Sequence, residues 1–167
     1  MQIVPLAEIA PAAVEILLDA AFGPDRHGRT AYKLRAGVDA VPALSFAAMD
    51  KGALLGTIQY WPCGLFAADG TLTQPLVLVG PVAVMPGVQG QGIGKALMEA
   101  SLAAATTHAD GPLCMIGDPD YYGRFFGFSA DATGDWQLPG PVERHRLLAR
   151  AMHGEAIAAT GMLAPRA

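Results

Sequence analysis

The stretch from Pro75 to His108 restricts the fold more than any other. It opens with "PLVLVGPVAV", a nearly unbroken apolar run that reads as a strand over Leu76–Met85 buried on both faces. It closes with "KALMEASLAAATTH", a helix-like run reaching about His108. Between them lies "MPGVQGQGIG", with Gly90, Gly92 and Gly94 at alternate positions. A strand that enters a helix through glycines presents the N–H groups of the first helical turn, which have no carbonyl partner inside the helix. Those donors and the positive end of the helix dipole together hold phosphate, and a missing side chain lets the phosphate reach the backbone. Two familiar phosphate loops fail here. The P-loop spacing puts Gln89 where its first glycine belongs and Ala96 where Ser or Thr belongs. The dinucleotide fingerprint starting at Gly90 meets Lys95 at its third glycine, and starting at Gly92 it meets Leu97. A turn that binds nothing, or a degenerate P-loop that binds ATP, stays open on the loop alone.

The rest of the chain supplies mixed elements. "QIVPL" reads as a first strand. "PAAVEILLDAAF" reads as a helix opened by Pro11, with Val14, Leu17, Leu18 and Ala21 on one face and Gly23-Pro24 as its stop. "TAYKLRAG" reads as a second short helix. "ALSFAAM" and "ALLGTIQYW" flank Asp50-Lys51-Gly52, a hairpin signal, and Asp69-Gly70 marks another turn. "LCMIG" reads as a short buried strand, "DPDYYGRFF" as a short helix and "GFSADATGDWQLPGP" as turns with one strand. "RHRLLARAM" fits strand or helix equally, and the tail beyond Gly154 carries no clear pattern. Neither a repeat nor a linker interrupts this order. It predicts a mixed α/β single domain over residues 1–167.

Composition narrows the partners. Of 167 residues 52% are hydrophobic and 16% charged, enough for a sizeable core and against disorder. The net charge of −4 and the absence of any basic block argue against a nucleic-acid surface. Cys63 and Cys114 lack metal-ligand spacing and read as reduced core residues, so no metal is expected. No apolar run reaches the roughly 18 residues of a membrane span, and "MQIVPLAEIAP" has no basic leader. The expectation is a cytoplasmic protein that engages neither nucleic acid nor membrane.

The loop does fit Gln/Arg-x-x-Gly-x-Gly/Ala, read as Gln89, Gly92 and Gly94. In this it resembles the pyrophosphate-binding signature of the GCN5-related N-acetyltransferase (GNAT) superfamily. "GPVAVMPGVQGQGIGKALMEA" is similar to that family's fourth strand, loop and third helix. "LSFAAMDKGALLGTIQYWP" is similar to its second and third strands. "GDPDYYGRFFGF" is similar to the "GDPxYYxRFGF" segment of the bacterial predicted N-acetyltransferases of the YhbS type. The resemblance runs from about Ala43 to Arg150.

It implies a mostly antiparallel sheet with helices on both faces, whose fourth and fifth strands splay apart to admit acetyl-CoA. It also implies transfer of an acetyl group by direct attack of an amine on the thioester, within a ternary complex. Pantetheine would pair with the main chain of Val82, Ala83 and Val84. The pyrophosphate would sit on Gln89, Gly90, Gln91, Gly92, Ile93, Gly94 and Lys95, where Lys95 either adds charge or is a solvated lysine. A tyrosine at the start of the fourth helix would protonate the departing thiolate. Counting forward from Asp118-Pro119 selects Tyr122, with Tyr121 the alternative; counting back from Gly127-Phe128, that slot falls on Gly123. The mismatch arises because this chain has one more Phe than the pattern, taken here to bulge after the tyrosine. Arg124 either touches CoA or caps the helix. Asp118 is either a helix cap or an acid near the site. Arg26 and His27 fall in the loop where the family places its acceptor. No general base is visible. The acceptor is expected to be a small-molecule amine, with a homodimer as a further expectation. A non-catalytic acyl-CoA sensor or partner-binding module is the alternative.

Overall fold

The computed structural model describes residues 1–167. Eight strands and four α-helices follow one another along the chain. They are β1 (Gln2–Pro5), α1 (Pro11–Phe22), α2 (Thr30–Lys33), β2 (Phe46–Asp50), β3 (Ala53–Phe66), β4 (Leu72–Val84), α3 (Ile93–His108), β5 (Leu113–Ile116), α4 (Pro119–Phe126), β6 (Asp135–Gln137), β7 (Leu147–Arg150) and β8 (Thr160–Pro165). The strands form one sheet in the order β1-β2-β3-β4-β5-β7, with β8 paired to β3 and β6. The pairs β1–β2, β2–β3, β3–β8 and β5–β7 are antiparallel, and β4–β5 and β6–β8 are parallel. The chain divides into two compact units, one of Met1–Gly28, Ala40–Tyr60 and Gly80–His108, the other of Arg29–Asp39, Trp61–Val79 and Ala109–Ala167.

In the first unit the β2–β3 hairpin turns at Lys51 and Gly52, with φ of 49° and 80°. Two consecutive left-handed residues match the twist of a tight hairpin. Pro11 opens α1 and Gly23, at φ 92°, closes it. The predicted apolar face is real: Val14, Leu17 and Leu18 are buried and pack with Ala83 of β4, with Leu54 and Met85 alongside. Helix α3 buries Ile93, Leu97, Met98, Ser101, Leu102 and Ala105, the three-and-four spacing of one face. It is tied to β3 by a buried hydrogen bond of 2.9 Å between the Tyr60 hydroxyl and Ser101 Oγ, and Ser101 donates in turn to the Met98 carbonyl.

The second unit is built around β5, which pairs in parallel with β4 and antiparallel with β7. The β4–β5 register holds two residue pairs, Val77–Leu113 and Leu78–Cys114. Beyond it β4 continues to Val84. Four consecutive buried residues, Leu76 to Val79, confirm a strand covered on both faces. "RHRLLARAM" resolves as a 3-10 turn at Arg144–Arg146 followed by β7. The unpatterned tail contains β8, which joins β3 at Cys63–Phe66. Its sequence, "TGMLAP", is too short and mixed to announce a strand; long-range pairing decides it. Cys63 and Cys114, 51 residues apart, meet in the core with sulfurs 3.6 Å apart, and both are free thiols.

Candidate functional site

Sequence-predicted residues fall into two sets, one in each unit. The first runs from the end of β4 into α3. Ala83 is buried, and Val82 and Val84 flank it half-buried. The loop then turns through Gly87, Gly90 and Gly92, with φ of 96°, 80° and 79°. A Cβ added at Gly90 or Gly92 would meet nothing within 4 Å. Glycine is therefore needed at these positions for the backbone angle and not for space within the chain. The first intrahelical bond of α3 runs from the Ala96 N–H to the Gly92 carbonyl, at 3.0 Å. The N–H groups of Ile93, Gly94 and Lys95 lie ahead of it, the donors a phosphate would take.

Gly94 behaves differently from Gly92. Its φ is outside the left-handed region, and a Cβ there would make ordinary contact with Val84 at 3.7 Å and Val82 at 3.9 Å. Gln89 and Gln91 are exposed, and Lys95 reaches Glu99 one turn on at 3.9 Å. One residue behind this set was not singled out from the sequence. A Cβ on Gly56 would lie 2.8 Å from the Ala83 carbonyl oxygen, 3.0 Å from Ile93 and 3.1 Å from Leu97. Gly56 thus allows β3, the end of β4 and the start of α3 to close up. The available signal was a lone glycine inside an apolar strand pattern, "ALLGTIQYW".

The second set surrounds α4. Asp118 is its N-cap, accepting the Asp120 N–H at 3.0 Å, and Gly127 closes it in the left-handed conformation. The extra Phe makes no bulge. Helix α4 runs unbroken to Phe126; Phe126 and Phe128 are buried, and Phe125 is the residue turned outward, 53% exposed. Tyr122 is half-buried, with Tyr121 edge-on at 4.9 Å between centroids. Tyr121 also packs on Phe125 and Phe126 at 5.4 and 5.7 Å. Arg124 is exposed over the Phe125 ring at 5.5 Å. Burial, then the neighbouring Tyr121 and Asp118, push the Tyr122 phenol up to about 12, while Arg146 opposes them. Gly117, just ahead of α4, was missed from the sequence. A Cβ there would come within 2.8 Å of two Tyr122 ring carbons.

Arg26 has a different place from the one its loop position suggested. It is 2% exposed and ion-paired with Asp19 at 2.9 Å and with Glu15, both on α1. The acids lie one helical turn apart on one face, which the helix spacing predicts once α1 is placed. His27 is exposed beside it. No helix is long and apolar enough to cross a membrane, and no cluster of three or more His, Cys, Asp or Glu side chains stands ready for a metal.

A sequence model of the acetyltransferase (GNAT) family matches residues 11–116, from the start of α1 to the end of β5. The chain belongs to the GNAT family. Solved structures agree. The YhbS GNAT family N-acetyltransferase of Escherichia coli, in complex with CoA, is 23% identical, with a TM-score of 0.72 over 99% of this chain and 89% of that one. A GNAT family acetyltransferase from Brucella melitensis, in complex with acetyl-CoA, is 28% identical, with a TM-score of 0.65 over 99% and 96%. An acyl-CoA N-acyltransferase from Pseudomonas aeruginosa is 22% identical, with a TM-score of 0.55 over 90% and 97%. Among curated proteins no match is found. The eight-stranded, mostly antiparallel sheet with its parallel β4–β5 pair is the GNAT fold.

Proposed function

We propose that this protein is an acetyl-CoA-dependent N-acetyltransferase that acetylates the amine of a small molecule, working as one domain. The observation that carries the reading is the start of α3 in a chain of this family. Gly90 and Gly92 hold left-handed angles just ahead of the helix, and a Cβ on either would meet nothing within 4 Å. That arrangement fits the pyrophosphate of CoA, and Val82, Ala83 and Val84 offer the main chain that the amides of a pantetheine arm need. Two GNAT structures similar to this one were solved with CoA and with acetyl-CoA.

In this reading Tyr122 donates its phenolic proton to the thiolate as the C–S bond breaks. A phenol held near 12 stays protonated at any physiological pH, so the donor is always loaded. Its proton is held tightly: an ordinary thiol has a pKa near 8.5, so full transfer to a free thiolate is uphill by about 3.5 units, about 5 kcal/mol. The tyrosinate that the transfer leaves therefore takes a proton back from solvent at once. An attacking aliphatic amine must be neutral, which costs about 4–5 kcal/mol at pH 7 from a pKa near 10.4.

The test is thiol release from acetyl-CoA over a panel of small primary amines, beside calorimetric CoA binding by wild type and Gly92→Asp. Amine-dependent release is expected, with binding lost in the variant. CoA binding without release to any amine would replace the enzyme with an acyl-CoA sensor. Equal CoA affinity in Gly92→Asp would remove the loop from the site.

A further inference from the structure

The strand that ends at Ile116 is extended by one backbone bond, from the Gly117 N–H to the Arg146 carbonyl at 2.9 Å. The Arg146 side chain returns to the same residue, its Nε donating to the Gly117 carbonyl at 3.4 Å. Gly117 also receives the Tyr122 ring, so closely that a methyl group at its Cα would stand 2.8 Å from two ring carbons. Gly117 thus meets both the Arg146 side chain and the Tyr122 ring. Tyr121, Asp118 and Arg146 are the charged or ionisable groups that act on Tyr122, and Arg146 is the one cation among them.

We infer that Arg146 is a positioning residue for Tyr122, holding the phenol through Gly117 and supporting the negative charge left on its oxygen as the proton departs. This rests on the reading of Tyr122 as proton donor. In the transfer step the amine nitrogen bonds to the acetyl carbon and the C–S bond breaks. Its electron pair stays on sulfur and takes the phenolic proton. The surplus amine proton leaves to solvent, and the tyrosinate recovers a proton from solvent. Tyr121 and Asp118 both disfavour that tyrosinate, so a cation is needed to offset them. Arg146 is itself exposed, which lets water screen its charge and keeps the effect moderate.

The test uses full-length protein labelled with 3-fluorotyrosine, whose lower intrinsic pKa brings ionisation into a range where the fold survives. Fluorine NMR follows the Tyr122 signal, assigned by its loss in Tyr122→Phe. Arg146→Gln should move the Tyr122 titration to higher pH, and Arg146→Lys should return it toward wild type. With acetyl-CoA and whichever panel amine turns over, Arg146→Gln should lower kcat about two- to fivefold with the KM for acetyl-CoA unchanged, again with recovery in Arg146→Lys. An unmoved Tyr122 titration in a folded Arg146→Gln overturns the inference, whatever Tyr122 does in the reaction. Turnover unaffected by Tyr122→Phe overturns the proton-donor reading instead, and the titration still reports the charge coupling by itself.

Discussion

Replacing Gly92 and Gly94 in turn by alanine separates the two reasons a glycine can stand in this loop. At Gly92 the φ of 79° lies in the left-handed region, where a Cβ costs an L residue about 1–2 kcal/mol. Nothing within 4 Å of that Cβ adds a clash, so the penalty is conformational alone. At Gly94 the backbone is ordinary, and the new methyl would touch Val84 and Val82 at van der Waals distance. Alanine also outranks glycine inside a helix by about 0.5–1 kcal/mol, with the smaller figure apt for the first turn. For a chain of this length 1 kcal/mol moves Tm by about 2–4 °C. Gly92→Ala should therefore melt about 2–8 °C lower, and Gly94→Ala about 1–3 °C higher. The family pattern allows alanine at the Gly94 position, so CoA affinity should hold in Gly94→Ala and fall in Gly92→Ala. Calorimetry and thermal denaturation on the two purified variants read both effects. A Gly94→Ala protein that melts below wild type, or a Gly92→Ala protein that melts with it, would refute the reasoning.

Tyr122→Phe removes the proton and keeps the ring; kcat should drop about 10²–10⁴-fold with CoA affinity unchanged by calorimetry. The raised Tyr122 phenol also links to stability. Its contribution is fully present below the unfolded value of 10.0 and is lost as pH rises toward about 12. Denaturant titrations between pH 9 and 12 should show a shallower fall for Tyr122→Phe than for wild type. Gly117→Ala should displace the Tyr122 ring, and its kcat should fall more than its Tm, read from parallel kinetics and melting. Gly56→Ala puts a methyl 2.8 Å from the Ala83 backbone oxygen, which cannot swing aside as a side chain would. It should destabilise the protein by about 1–3 kcal/mol in urea titration.

What the sequence made legible was local. The α1 face at Val14, Leu17 and Leu18, the Lys51-Gly52 turn and the α3 boundary each follow from periodicity or from one backbone angle. The loop residues Gln89 to Lys95 were legible because the motif is contiguous. Long-range features were not. Strand β8 exists because β3 and β6 offer it partners. Cys63 on β3 and Cys114 on β5 meet because the folded sheet brings residues 51 apart in the chain into one core. Arg26 faces α1 because Glu15 and Asp19 lie one turn apart on that helix. Gly56 and Gly117 looked like ordinary strand and turn glycines, and only their neighbours in space give them a task.

Those two glycines bear on the choice between an enzyme and a sensor. A protein that only holds CoA needs the α3 start, and Gly56 serves that start by admitting the Ala83 carbonyl against β3. It has no need of a phenol set tightly against a bare Cα. At Gly117 the backbone φ does not require glycine, so the reason for glycine there is the ring itself. Accepting glycine at an ordinary angle forgoes the stability a side chain would add by restricting the unfolded chain, about 0.4–1 kcal/mol. Giving that up to fix one tyrosine makes sense where the hydroxyl has to arrive at a set point. Gly117→Ala is then the discriminating variant. In an enzyme it should leave CoA binding intact and depress turnover. A sensor would register no loss of function at all.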